Sequence, residues 1–229
     1  EMEVIFNSKL VISEGSVEWR GGKNAANYPT FDNKSFIPER DFDFRKDLVE
    51  AARFRAPRFV KGIRTRGAFG LRDKRKMIEL NSGITDGLSF TDLLINENWP
   101  LFIGKAMPLI FGRSNVTFFG NYRARPELLD VNVRHVKIGD DFIPQYGAVL
   151  EEAMAELIAL PMSATVLSSA SSLSNIIGHR LFTFRPDLTF IDVGTALNPF
   201  IGLENGLREY HSQLLPWTPK NIKKKALYY

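Results

Sequence analysis

The run ATVLSSASSLSNIIGHRLF, residues 164–182, decides how the chain is built. Residues 164–168 form a short apolar run of strand length, residues 168–172 are small and mostly hydroxylic, and from Leu173 the apolar positions return at helical spacing to Phe182. A strand, a small-residue turn and a helix in that order make half of a β-α-β unit, and residues 189–193 supply the next apolar strand. Working back from Ala164, residues 146–160 carry a strongly patterned helix stopped by Pro161. Residues 131–138 and 115–119 are β-rich, and residues 90–102 read as a helix interrupted by Pro100. Further upstream, Phe44, Leu48, Ala51, Ala52 and Phe54 define a helix over 43–55, Pro57 ends it, and residues 58–63 read as a strand. Strands separated by helices favour right-handed crossovers, so the expectation is an α/β fold, Rossmann-like, with a largely parallel sheet and helices on both faces.

The first 40 residues hold Gly15, Gly21, Gly22, Pro29 and Pro38, and read as loop after a short strand at residues 4–12. The expected organisation is a single domain over 1–215 followed by a basic tail over 216–229, with no internal repeat. At 229 residues and 44% hydrophobic, one sizeable core is within reach. Eighteen Phe scattered along the chain suit that core rather than a stacking platform. No run of about 18 apolar residues is present and residues 1–10 lack the order of a signal peptide, so the expectation is no membrane span and a cytoplasmic protein. Cysteine is absent, which excludes disulfides and thiolate metal sites. The net charge of +4 comes in part from Lys220, Lys223, Lys224 and Lys225, so nucleic acid is not a required partner.

In open parallel sheets, ligands gather beyond the carboxyl ends of the strands. The turn holding Ser169, Ser171 and Ser172, with Asn175 in the first helical turn, allows close backbone approach and offers hydroxyls and helix N-terminal N–H groups to a phosphate. A Ser-rich helix cap with no ligand is the alternative. It is not a P-loop, because the Gly and Lys spacing is missing. A second exit, residues 191–200, carries Asp192, Gly194 and Asn198. Asp192 is placed to meet a ribose, a sugar or an attacking acceptor hydroxyl, or else to cap a turn. Arg208, Tyr210 and His211 follow, as a charge-neutralising set for phosphate or as a solvated helix face. No Gly-x-Ser-x-Gly elbow surrounds the serines and the three histidines lack His-x-x-x-His spacing, which argues against a serine hydrolase and a zinc enzyme.

These segments together resemble the GT-D group of glycosyltransferases. The resemblance is carried by SFTDLLINENWPLF (89–102), VTFFGN (116–121), residues 166–181, IDVGTALNPF (191–200) and LREYH (207–211), and it spans most of residues 16–211. It implies a nucleotide-sugar donor, UDP-linked by expectation, and a hydroxyl of a glycan or glycoprotein as acceptor. It adds Asn96 and Asn121 to the substrate-binding set. In that group an Asp-x-Glu motif near the N-terminus is associated with a divalent cation, Mn²⁺ or Mg²⁺, and the donor diphosphate. The matching place here is Ser16-Val17-Glu18-Trp19, which makes Glu18 the implied metal ligand and, beside Asp192, a candidate catalytic carboxylate. Three departures stand out: Ser16 replaces the first carboxylate, Ser171-Ser172 replaces a Gly-Pro pair, and Asn198 replaces an Asp. A hydroxyl brings no charge to a hard cation, so metal dependence is put in doubt. A catalytically reduced module that binds glycan or nucleotide sugar, or assembles with another transferase, is the alternative. A nucleic-acid-binding protein rests only on the pI of 9.3 and the tail.

Overall fold

A computed structural model describes residues 9–13, 16–20, 36–37, 40–63, 70–112, 115–204 and 207–214, with 9–13, 16–20, 70–73 and 213–214 described as backbone alone. In chain order come β1 (Lys9–Ser13) and β2 (Ser16–Arg20), α1 (Phe42–Arg53), β3 (Lys61–Ile63), α2 (Gly70–Leu80) and β4 (Leu88–Phe90). A helical segment follows, built of α3 (Trp99–Leu101), a π turn (Phe102–Ala106) and α4 (Met107–Phe111). Then come β5 (Val116–Asn121), β6 (Val133–Ile138), α5 (Tyr146–Ile158), β7 (Thr165–Ser169), α6 (Leu173–Phe184) and β8 (Thr189–Asp192). The expected 216–229 tail lies outside the described residues.

The central sheet has the order β6-β5-β7-β8 and every pairing in it is parallel. Val116, Thr117, Phe118, Phe119 and Gly120 of β5 are all buried, as a strand covered on both faces requires. Alternate side chains go to opposite faces. On one face Phe119, Val136, Ile138 and Val166 meet Leu48 of α1, Leu150 and Leu157 of α5, and Ile176 and Ile177 of α6. On the other, Val116, Phe118 and Leu167 meet Trp99, Ile103 and Met107 together with Ala196, Leu197 and Ile201. Burying each of these large side chains is worth roughly 1.5–3 kcal/mol. Leu157, fully buried, is therefore a position where truncation alone would measurably weaken the domain.

The α/β class with parallel strands stands, and the helices and strands from β5 to β8 fall within a few residues of their expected places. Upstream, several expectations are corrected. The strand expected at residues 4–12 is described over Lys9–Ser13, and the stretch expected as loop after it contains a second strand, β2, paired with β1 as an antiparallel hairpin. Residues 90–102 do not form one helix. Leu88–Phe90 is a strand paired in parallel with β3, and the turns Thr91–Leu93 and Asn96–Asn98 follow it. Asn96 adopts φ 56°, a left-handed value that an α-helix cannot contain. Pro100 starts the helix instead of interrupting it, since a first-turn N–H has no helical partner to lose. Pro108 accompanies the π turn, in which Met107 N–H reaches back to Phe102 O. The α2 helix, carrying Lys74, Arg75 and Lys76, was not expected. Lys61 on β3 ties this region to α1 by donating from Nζ to the carbonyls of Ala52 and Phe54 and to Asn81 Oδ1, placing a cation at the α1 carboxyl end.

Candidate functional site

The chain enters the central sheet at β5, steps outward to β6, then crosses back to β7 and continues to β8. Strand order reverses between β5 and β7, and at such a reversal the exit loops diverge and leave a crevice at the carboxyl edge. Gly120 stands opposite Ser169 at its floor. A Cβ on Gly120 would come within 2.8 Å of the Phe118 ring and 3.2 Å of Ser169 O, so only glycine lets the two strands close here.

The β7 exit forms one wall. Ser171 takes φ 54° and Ser172 is buried. Ser174, a residue that the sequence reading passed over, organises this turn: its Oγ accepts the Ala170 N–H at 3.1 Å and lies 2.7 Å from Ser168 Oγ. Its signal was a hydroxyl two residues into a helix, where it can reach back over the preceding turn. Ser172 makes no side-chain cap of its own on α6. Ser169 and Ser171 stay half-buried and Asn175 is exposed, so these three sit towards the mouth.

Asp192 ends β8 directly opposite Ser168, and so shares a row with the serine turn. Its Oδ1 accepts the Gly194 N–H at 3.0 Å, and Gly194 adopts φ 50°, so the turn-capping role is real. Desolvation pushes the Asp192 carboxyl up to about 6 despite the opposing Gly194 N–H. The residue as a whole is still exposed. A carboxyl crowded by protein and yet reachable from solvent is an arrangement suited to a base.

The sheet face covered by Trp99, Ile103 and Met107 supplies the other wall. Trp99 Nε1–H donates to Ala196 O at 2.9 Å, and Thr195 Oγ1 lies 2.7 Å from Tyr210 Oη. Arg208 N–H donates to His211 Nδ1 at 2.8 Å, and the His211 ring packs at a steep angle against Trp99 and edge-on against Tyr210. Tyr210 and His211 are both 8% exposed, so they hold the 194–197 turn from behind rather than reach the mouth. Burial raises the Tyr210 phenol and pushes His211 down to about 4. Arg208 is exposed. Asn198 is buried in the same turn, where its N–H meets Thr195 O and its carbonyl accepts from Ile201 and Leu203.

Two sites stand apart from this cluster in their bonding. Asn96 donates from Nδ2 to Asp92 within its own turn. Asn121, at the end of β5, donates to Asp140 Oδ1 at 2.7 Å and accepts the Arg123 N–H at 2.9 Å, while Arg123 also pairs with Asp140. The Glu18 side chain lies outside the described residues. Among the described residues no group of three or more His, Asp or Glu is placed to hold a metal ion. A separate concavity of about 380 Å³ opens where α1 and α5 begin, and its Arg40 is already paired with Asp41. Among the described residues no helix is long and apolar enough to cross a membrane.

No protein-family model, curated protein or solved structure matches the chain.

Proposed function

We propose that the crevice at the β5–β7 reversal takes the diphosphate of a nucleotide sugar, and that the protein is a glycosyltransferase acting from a UDP-sugar donor on a hydroxyl of a glycan or glycoprotein. The observation that carries this reading is the convergence of the serine turn, the start of α6 and the raised Asp192 carboxyl in one row at the carboxyl edge of a Rossmann-like sheet. In the transfer, the bond from the anomeric carbon to the diphosphate oxygen breaks and its electron pair leaves with the nucleotide. A bond to the acceptor oxygen forms, and the acceptor proton passes to Asp192. A carboxyl near 6 is largely ionised at neutral pH and basic enough to assist. The α6 N-terminus with Ser169, Ser171 and Asn175 receives the departing charge.

A divalent cation, when bound, would neutralise the diphosphate. The described residues supply no carboxylate cluster for one, which leaves Glu18 as the ligand implied by resemblance. A binding-only module is the second reading, favoured by the engagement of Asp192 with Gly194 and by Asn198 where the resemblance calls for Asp.

Calorimetric titration of UDP and UDP-sugars, with and without Mn²⁺, tests the proposal alongside donor-hydrolysis and transfer assays. Binding with turnover that Asp192→Asn abolishes supports the transferase, whereas binding without turnover supports the module. Absence of binding to UDP and to every UDP-sugar removes the UDP-sugar transferase and the nucleotide-sugar-binding module alike, and leaves a module that binds glycan or assembles with another transferase. Turnover is expected to rise with pH through about 6 as Asp192 ionises.

A further inference from the structure

The notable residue of the β5 exit loop is Arg125. Its N–H donates to Ile201 O at 2.9 Å, which ties this loop to the exit of β8. Because β5 and β8 flank β7 in the sheet, this one bond bridges the carboxyl end of β7 on the face opposite α6. The crevice thus has the serine turn as one wall and the Arg125–Ile201 bridge as the other.

The Arg125 side chain lies against Gly202, whose φ is 72°. A Cβ on Gly202 would fall 2.7 Å from one terminal guanidinium nitrogen and 2.8 Å from Nε. The absence of a side chain at Gly202 leaves room for the guanidinium to lie against this backbone. Elsewhere the described arginines that form ion pairs have local carboxylates: Arg40 with Asp41, Arg123 with Asp140, Arg134 with Glu156, Arg180 with Asp47 and Arg185 with Asp187. Among the described residues Arg125 meets no carboxylate, although Arg123, two residues earlier, does. Arg125 is exposed, lies over the Gly202 backbone and meets no carboxylate among the described residues, at the same carboxyl edge of the sheet as the serine turn.

We infer that Arg125 is the cation that receives the phosphates of the bound nucleotide, with Gly202 as its positioning residue. This rests on the nucleotide reading of the crevice and specifies where its charge is met, in place of Arg208. A planar guanidinium matches phosphate oxygens two at a time, and it strengthens as the leaving diphosphate gains charge.

The test titrates UDP, inorganic pyrophosphate and uridine into the full chain and into Arg125→Ala, Arg125→Lys and Gly202→Ala, with thermal melts to establish that each variant is folded. Arg125→Ala is expected to weaken UDP and pyrophosphate about 10- to 100-fold and to leave uridine unchanged. Arg125→Lys should recover part of the loss. Gly202→Ala, which keeps the arginine and displaces it, should weaken UDP without removing any charge. If the wild type binds UDP and Arg125→Ala binds it equally well, the assignment of Arg125 is overturned while the nucleotide reading stands. Equal losses for UDP and uridine would mark Arg125 as a loop tether and also overturn it. If the wild type binds neither UDP nor pyrophosphate, the nucleotide reading falls and takes this inference with it.

Discussion

On one face of the central sheet, helices of 12, 13 and 12 residues lay down Leu, Ile, Phe and Ala in regular stripes, with Asp47 of α1 bonded to Tyr146 of α5 and Arg180 of α6. On the other face the cover is a three-residue helix, a π turn, a five-residue helix and 3-10 turns, joined by Trp99, Tyr210 and His211 through specific hydrogen bonds. The first face derives its order from area and repetition. The second derives it from directional bonds at the ends of aromatic side chains, which fix a turn at a chosen height above the sheet. The candidate site lies where these two kinds of construction meet, and substitutions on either side should fail in different ways.

The largest expected effect is at Trp99, 1% exposed. Trp99→Ala should cost about 3–5 kcal/mol in urea denaturation, and Leu157→Ala on the opposite face about 2–5 kcal/mol. The two should part in nucleotide titration: Trp99→Ala frees the Ala196 carbonyl that positions the Asp192 turn, so it should weaken binding in folded protein, whereas Leu157→Ala should not. Equal effects on binding would dissolve the distinction between the faces.

Acid titration gives the next largest effect. Burial moves His211 from its ordinary 6.5 down to about 4. The unfolded chain then takes up a proton that the folded one refuses, so the stability contributed by neutral His211 is full above about 6.5 and is lost as pH falls towards 4. His211→Gln should flatten that limb by roughly 3 kcal/mol in denaturation curves between pH 7 and 4. A slope will remain, because His135 and His179 are also pushed down by burial. An unchanged limb would remove His211 from the set of residues that hold the Trp99 face of the sheet.

Ser174→Ala is the smallest and sharpens the comparison from the other side, since Ser174 supplies a directional bond on the helical face. The variant leaves the buried Ala170 N–H without its acceptor and should cost about 1–2 kcal/mol by thermal denaturation. Ser174→Thr, which keeps the hydroxyl, should cost less.

The helical face was legible because its signal is periodic. Leu150, Met154 and Leu157 repeat at helical spacing, Pro161 stops the pattern, and the apolar runs at 116–119 and 164–168 could only be buried strands. The other face was not, because its elements are shorter than the window in which periodicity shows. Asn96 in a left-handed conformation looks like any helix residue in a one-letter string, and Pro100 reads as a breaker unless its place in the first turn is known. Asp192 was legible as a strand-exit carboxylate. That Tyr210 and His211 would turn inward to Trp99 was not, since a contact over more than 100 positions leaves no local trace. The Arg125–Ile201 bridge was hidden for the same reason.

The π turn at Phe102–Ala106 sets the angle at which the second face is presented. Trp99, Ile103 and Met107 are spaced by four, and in a uniform α-helix the first and last would stand about 80° apart around the axis. One residue wound into the wider turn takes up most of that angle, and all three side chains point into the same core. Straightening this turn into a uniform α-helix with no residue deleted would leave an unbroken, well-formed helix, yet it would swing Trp99 about 80° out of phase with Met107. The indole would then face away from Ala196. The domain carries here an angular spacer whose loss would be silent in helix content and legible only in the position of the turn it steers.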